Sequence, residues 1–273
     1  MKKILLTTDF SDNSLNDIDC ALKMYKDVPC SFFILNAYRL SALNLIGELH
    51  YERREEESKK GLRGLLDTLK KNNPNKNHSF STITKLGSVS TVILEIVMDK
   101  DIEVIVMGTK GVTGAKEIFM GSTAVNVIKS ISACPVIAVP KGFKFTELKK
   151  LIFSTDFTRP FLKRELYELI ELAKVWQPTI QVFHLTKNVP LSEEQIVNKS
   201  VLKKHFNGLD YTFCNGTVDD DLVEGIQKFA AETNVDMVAL MHYKRNLIEM
   251  ITKSAVVKKV SFKTEVPLLI LPK

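Results

Sequence analysis

With 273 residues, 45% hydrophobic and 26% charged, the chain is long enough for two buried cores and too apolar to be disordered. Its net charge of +6 comes from 38 Lys and Arg against 32 Asp and Glu spread along the chain, which argues against a nucleic-acid partner but admits anionic ligands. No apolar run is long enough to span a bilayer, and Cys20, Cys30, Cys134 and Cys214 form no CxxC pair, so a reduced, cytoplasmic protein without membrane contact is expected.

Short β-rich runs alternate with helical patterns from the start. Strands are predicted near Lys3 to Thr8, Ser31 to Tyr38, Ser79 to Lys85, Val104 to Met107 and Val136 to Val139. A helix is predicted from Asn13 to Tyr25, with Ser11 or Asp12 as its cap, and a second, strongly charged one from Glu48 to Lys71. This alternation predicts parallel sheet covered by helices.

The stretch after the fourth strand carries the chemistry. It reads Gly108-Thr109-Lys110-Gly111, then nine residues, then Gly121-Ser122-Thr123 opening a helical pattern. A glycine-studded loop between strand and helix exposes backbone N–H groups to an anion, and side chains at Gly111 or Gly121 would stand in the way. Ser122 is expected to cap the helix or bond a phosphate oxygen. Phosphate binding is therefore the reading of this loop.

The opening Lys2-Lys3-Ile4-Leu5-Leu6-Thr7-Thr8-Asp9-Phe10-Ser11 recurs as Lys149-Lys150-Leu151-Ile152-Phe153-Ser154-Thr155-Asp156-Phe157-Thr158. The closing Cys134-Pro135-Val136-Ile137-Ala138-Val139-Pro140-Lys141 likewise returns as Val266-Pro267-Leu268-Leu269-Ile270-Leu271-Pro272-Lys273. The chain is a duplication, with domains expected at 1–141 and 149–273. The second copy is shorter, mainly around the charged segment His50 to Lys71. Its strands are predicted near Lys150 to Thr155, Thr179 to Leu185, Tyr211 to Phe213, Met237 to Met241 and Leu268 to Leu271. A short join, Lys141 to Leu148, lets the copies pack face to face as an internal pseudo-dimer, and the strands Val136 to Val139 and Leu268 to Leu271 can satisfy each other's edges. A homodimer of such chains is the alternative.

The loop pattern G-x-x-G-x9-G-[ST], the opening strand ending in Thr8-Asp9-Phe10-Ser11 and the closing Cys-Pro-Val strand together resemble the universal stress protein family in its tandem form. The resemblance implies two Rossmann-like, flavodoxin-like α/β domains, each a five-stranded parallel sheet in order 3-2-1-4-5 with helices on both faces, and a crevice between strands 1 and 4. It implies ATP, or ADP or AMP, with Mg2+ accompanying the phosphates. Gly108, Gly111, Gly121, Ser122 and Thr123 are then expected at the phosphates, with Lys110 and Lys116 as candidates beside them. Thr8 is expected among the nucleotide-contacting residues and Asp9 at the ribose, where Asp9 could instead merely cap the next helix, with Ala37 and Met107 near the adenine. Asn36-Ala37 departs from the His-Val common in the family.

The second copy's matching stretch, Leu240 to Ser254, contains no glycine, so the nucleotide is expected only in the first half. Asp156 survives without the loop, Pro160 suits a helix start, and His184 and His242 are expected to be a core-edge and a solvated residue. A nucleotide-dependent regulatory protein with an unidentified protein partner is the leading reading. A slow ATP hydrolase and a nucleotide-free interaction module are the alternatives, because no placed base for turnover is visible near the loop.

Overall fold

The computed structural model describes residues 1–39, 48–109, 120–186, 190–217, 222–242 and 265–272. In the first half the elements run β1 (Lys2–Thr7), α1 (Asp12–Met24), β2 (Cys30–Tyr38), α2 (Glu48–Asn72), β3 (His78–Leu86), α3 (Val89–Lys100), β4 (Val104–Gly108), α4 (Ser122–Ser130) and β5 (Val136–Val139). The second half adds β6 (Lys150–Ser154), α5 (Tyr167–Trp176), β7 (Thr179–Thr186), α6 (Glu193–His205), β8 (Tyr211–Thr217), α7 (Leu222–Thr233), β9 (Met237–Met241) and β10 (Leu268–Leu271).

Burial on both faces explains the uninterrupted apolar strands. Along β1, Ile4 and Leu6 point into the core beneath α1 and α2, where they meet Ile18, Ala21 and Leu65. Leu5, between them, points into the opposite core with Val92, Ile93, Ala124 and Val127 of α3 and α4. Period-two alternation thus feeds two helix layers from one strand. Serines terminate the approach to several helices: Ser11 caps α1, Ser88 caps α3, and Ser192 with Gln195 forms a capping box on α6.

Each half has the strand order 3-2-1-4-5, and the two join into a single 10-stranded sheet ordered β3-β2-β1-β4-β5-β10-β9-β6-β7-β8. The seam is the antiparallel pair β5 and β10, with Leu268 opposite Ala138 and Ile270 opposite Val136. The halves therefore meet edge to edge, not face to face as their short join suggested. Two apolar strand edges stay hidden by pairing with each other.

Helix α5 reinforces the seam from one face. Glu168, 2% exposed, pairs with Lys2 and accepts a hydrogen bond from the Tyr25 hydroxyl at 2.7 Å. The Trp176 indole donates to the Met24 carbonyl at 2.8 Å and meets the buried Phe145 ring edge-on at 5.2 Å. A second departure concerns Pro160, which starts no helix: the chain stays irregular until Leu166 caps α5, and the buried Glu165 closes that segment by accepting from Arg159 and from the Leu162 amide. The shorter second copy is explained by α6, 13 residues against 25 in α2.

Candidate nucleotide-binding cleft

β1 delivers the first wall of the site. The Thr8 amide donates to the Leu35 carbonyl at 2.9 Å, and the Thr8 hydroxyl accepts from the Phe10 amide at 3.0 Å, which turns the chain sharply out of the sheet. Phe10 takes φ 64° there. Asp9, exposed, accepts from both the amide and the hydroxyl of Ser11, and Ser11 in turn caps α1 through the Ser14 amide. Asp9 thus supports the helix start indirectly while its carboxylate lines the cleft.

β4 and α4 supply the opposite wall. The Thr109 amide donates to the Val139 carbonyl at 2.8 Å, and the Thr109 carbonyl accepts from the Gly121 amide at 2.6 Å, so the chain returns at Gly121 to the point where it left the sheet. Gly121, not Ser122, is the N-cap of α4, and Ser122 is its first helical residue. Among the described residues no side chain caps this helix, since Gly121 has none to offer. Its first amides consequently lack the oxygen partner that Ser11, Ser88 and Ser192 give α1, α3 and α6, and they carry the positive end of the helix dipole. Gly121 has φ −65°, a value open to any residue, so the backbone conformation itself does not demand glycine there.

Between these walls lies a cleft of about 170 Å³. It gathers eight residues singled out from the sequence: Thr8, Asp9, Ala37, Met107, Gly108, Gly121, Ser122 and Thr123. Lys110, Gly111 and Lys116 lie outside the described residues. Met107 is both core and lining, 3% exposed yet bordering the cleft. A hollow of about 350 Å³ adjoins at Asp9 and Ala37 and brings in Arg39 and Arg54.

Sequence reasoning missed several lining residues, among them Ser14, Asp17 and Val89. Ser14 bonds the Thr8 hydroxyl at 2.9 Å and so ties α1 to the end of β1. Asp17 is the more informative omission. It occupies the helical stripe that continues through Ala21 and Met24, where an apolar residue is the norm, and it is 3% exposed. Burial first, and the nearby Asp9 charge second, push its carboxyl up to about 8.

The second half repeats the turn after β6. Thr155 accepts from the Phe157 amide at 3.1 Å, Phe157 takes φ 58°, and Asp156 accepts from the Thr158 amide and hydroxyl. His184, buried, donates to the Thr155 carbonyl at 3.0 Å in the place where Asn36 donates to the Thr8 carbonyl at 2.8 Å. The His242 amide donates to the Leu271 carbonyl as that of Thr109 does to Val139, which sets Met241 in the position of Gly108. The His242 ring is not simply solvated: its Nε2 donates to the Ile128 carbonyl of α4 at 2.6 Å, across the seam. Residues 243–264, which hold the rest of the glycine-free stretch, lie outside the described residues.

Cysteine chemistry takes no part in this site. The four thiols are unpaired, and burial pushes those of Cys30 and Cys134 up to about 12, so neither is a thiolate near neutrality. Among the described residues no helix is long and apolar enough to cross a membrane.

Comparison with known proteins agrees with this architecture. The universal stress protein family matches residues 1–140. Universal stress protein YxiE of Bacillus subtilis (strain 168) is 30% identical over 146 residues, half of this chain and 97% of that protein. Universal stress protein MJ0531 of Methanocaldococcus jannaschii is 32% identical over 144 residues, 52% of this chain and 84% of its own. Across both halves, the crystal structure of a universal stress protein from Archaeoglobus fulgidus DSM 4304 superposes with a TM-score of 0.70 at 16% identity, covering 99% of this chain and 96% of that one. With a 3-2-1-4-5 sheet in each half and that match over the first, the chain belongs to the universal stress protein family.

Proposed function

We propose that the cleft of the first half binds an adenine nucleotide, ATP foremost and ADP or AMP as shorter alternatives, and that its occupancy regulates the protein in the cytoplasm. The observation that carries this reading is the uncapped amide end of α4 facing, across one cleft, the carboxylate of Asp9 and the ends of β1, β2 and β4. Bare amides at a helix start take phosphate oxygens, and an exposed carboxylate accepts from ribose hydroxyls. Ala37 and Met107 offer the apolar contact for adenine, Thr8, Gly108, Ser122 and Thr123 border the phosphate chain, and Lys110 with Gly111 would complete the loop.

Among the described residues no group of three or more His, Cys, Asp or Glu gathers into a protein-held metal site. Mg2+ would therefore arrive with the phosphates and be held mainly by their oxygens. In the second half Met241 replaces Gly108, and its buried side chain fills the position that a close backbone approach requires. One nucleotide per chain is the consequence.

A regulatory role draws support from α4 itself. Its first turn lines the cleft, while its far end accepts the His242 hydrogen bond from the second half. Ligand-dependent adjustment of this one helix would reach the seam and any partner surface beside it.

Calorimetric titration of the full chain with Mg-ATP tests the reading. Saturable binding at one site per chain, below millimolar concentration, is expected, with loss of at least tenfold in affinity for Gly121→Val, whose branched side chain intrudes at the amide end of α4. Absence of saturable binding at millimolar ATP overturns it.

A further inference from the structure

Among the described residues three carboxyl groups are almost wholly buried, and two of them are answered by donors. Glu165 meets Arg159 and the Leu162 amide, and Glu168 meets Lys2 and the Tyr25 hydroxyl. Asp17, 3% exposed, borders the cleft with no hydrogen-bond donor at its carboxyl among the described residues. An ionised carboxylate in that position would cost several kcal/mol, so the group keeps its proton unless something entering the cleft answers it.

Among the described residues that line the cleft, none is a cation. Asp9 faces it from the turn after β1, Cys20 follows one turn along α1, and the cleft-lining residues of β2, β4, α3 and α4 that are described carry no ionisable side chain. Desolvation and the Asp9 charge therefore act in the same direction, and the carboxyl is neutral at pH 7. A neutral acid has what its neighbours Thr8 and Ser14, already bonded to each other, do not: an uncommitted O–H. Across the cleft stand the uncapped amides of α4, where anionic oxygens are favoured.

We propose that Asp17 is a ligand-contacting residue of the cleft, a neutral carboxylic acid whose O–H donates to a phosphate oxygen of the bound nucleotide. This rests on the nucleotide reading above and adds regulation to it. Binding becomes coupled to the proton on Asp17. Once ionised, the same group sets a negative charge beside Asp9 and against the phosphates, and affinity falls.

Two measurements decide the matter. In wild-type protein selectively 13C-labelled at Asp carboxyls, the Asp17 resonance should titrate near pH 8 without ligand and at higher pH with ATP bound. In calorimetry from pH 7 to pH 9, wild-type affinity for ATP should fall by about tenfold relative to Asp17→Asn, whose amide donates without ionising; adenosine, lacking phosphate, should show no such difference. The inference is overturned if Asp17 titrates in the ordinary carboxylate range, if wild type and Asp17→Asn share one pH profile, or if adenosine follows the same profile as ATP. Absence of saturable ATP binding at every pH in both proteins instead overturns the nucleotide reading, and this contact with it.

Discussion

A buried carboxyl with no donor at its oxygens among the described residues ties folding to proton uptake, and Asp17 makes that link measurable without any ligand. Its carboxyl, near 3.8 in an unfolded chain, is held at about 8 in the fold. The folded chain therefore binds this proton more tightly than the unfolded one, and the sign follows: the contribution to stability is complete below about 4, is lost progressively as pH rises through about 8, and is constant above. Asp17→Asn removes the dependence. We expect the variant to gain on wild type by roughly 1.4 kcal/mol for each pH unit crossed between those limits. Urea denaturation of both proteins at pH 5, 6.5 and 8 checks this, and parallel stability curves would contradict it. The same residue shows a limit of sequence reading. An Asp within an otherwise amphipathic helix reads as solvent-facing, and only the position of Asp17 on the buried stripe could have signalled otherwise.

Helix starts divide into what was readable and what was not. Ser11 as the cap of α1 follows from residue type and spacing, and its substitution has a calculable effect: Ser11→Ala should cost about 1 kcal/mol in chemical denaturation and also remove the hydroxyl bond to Asp9 while keeping the amide bond. For Ser122 the same rule left capping or a phosphate contact open, and Gly121 takes the cap position with no side chain to offer α4. Pro160 pointed to a helix start that the Arg159 and Glu165 pair pre-empts, a contact invisible to local pattern. Apolar strands such as β5 and β10 were legible because burial on both faces leaves no room for polar residues. The most consequential element is α4, whose two ends serve different halves of the molecule. ATP saturation should shift the ring resonances of His242 through this helix, although the imidazole lies across the seam at the Ile128 carbonyl. An unchanged His242 signal at full occupancy would remove α4 as the route of regulation.

For the molecule as a whole, the repeat was visible in the sequence while the manner of its assembly was only half so. Edge pairing of β5 with β10 followed from two apolar edges that need covering, but the contacts that fix the angle between halves come from residues far apart in the chain, Lys2, Tyr25 and Glu168 above all. That cluster is buried on every side: Lys2 and Glu168 side chains are 8% and 2% exposed. Burial pushes the Glu168 carboxyl up and the Lys2 ammonium opposes it. Such a pair contributes orientation more than net stability, because desolvation offsets most of the attraction, whereas removing one member strands the other. Glu168→Ala leaves a buried ammonium without its counter-charge and a buried Tyr25 hydroxyl without its acceptor, so a loss of about 3–5 kcal/mol is expected. Lys2→Met combined with Glu168→Gln removes both charges and keeps an acceptor for Tyr25, and it should cost less than the sum of its two single changes by at least about 1 kcal/mol. Denaturant midpoints of the four proteins give the coupling directly. Strict additivity would mean that the seam is held by contacts such as the β5 and β10 pairing, Trp176 and His242, with the buried charges contributing nothing to how the halves are joined.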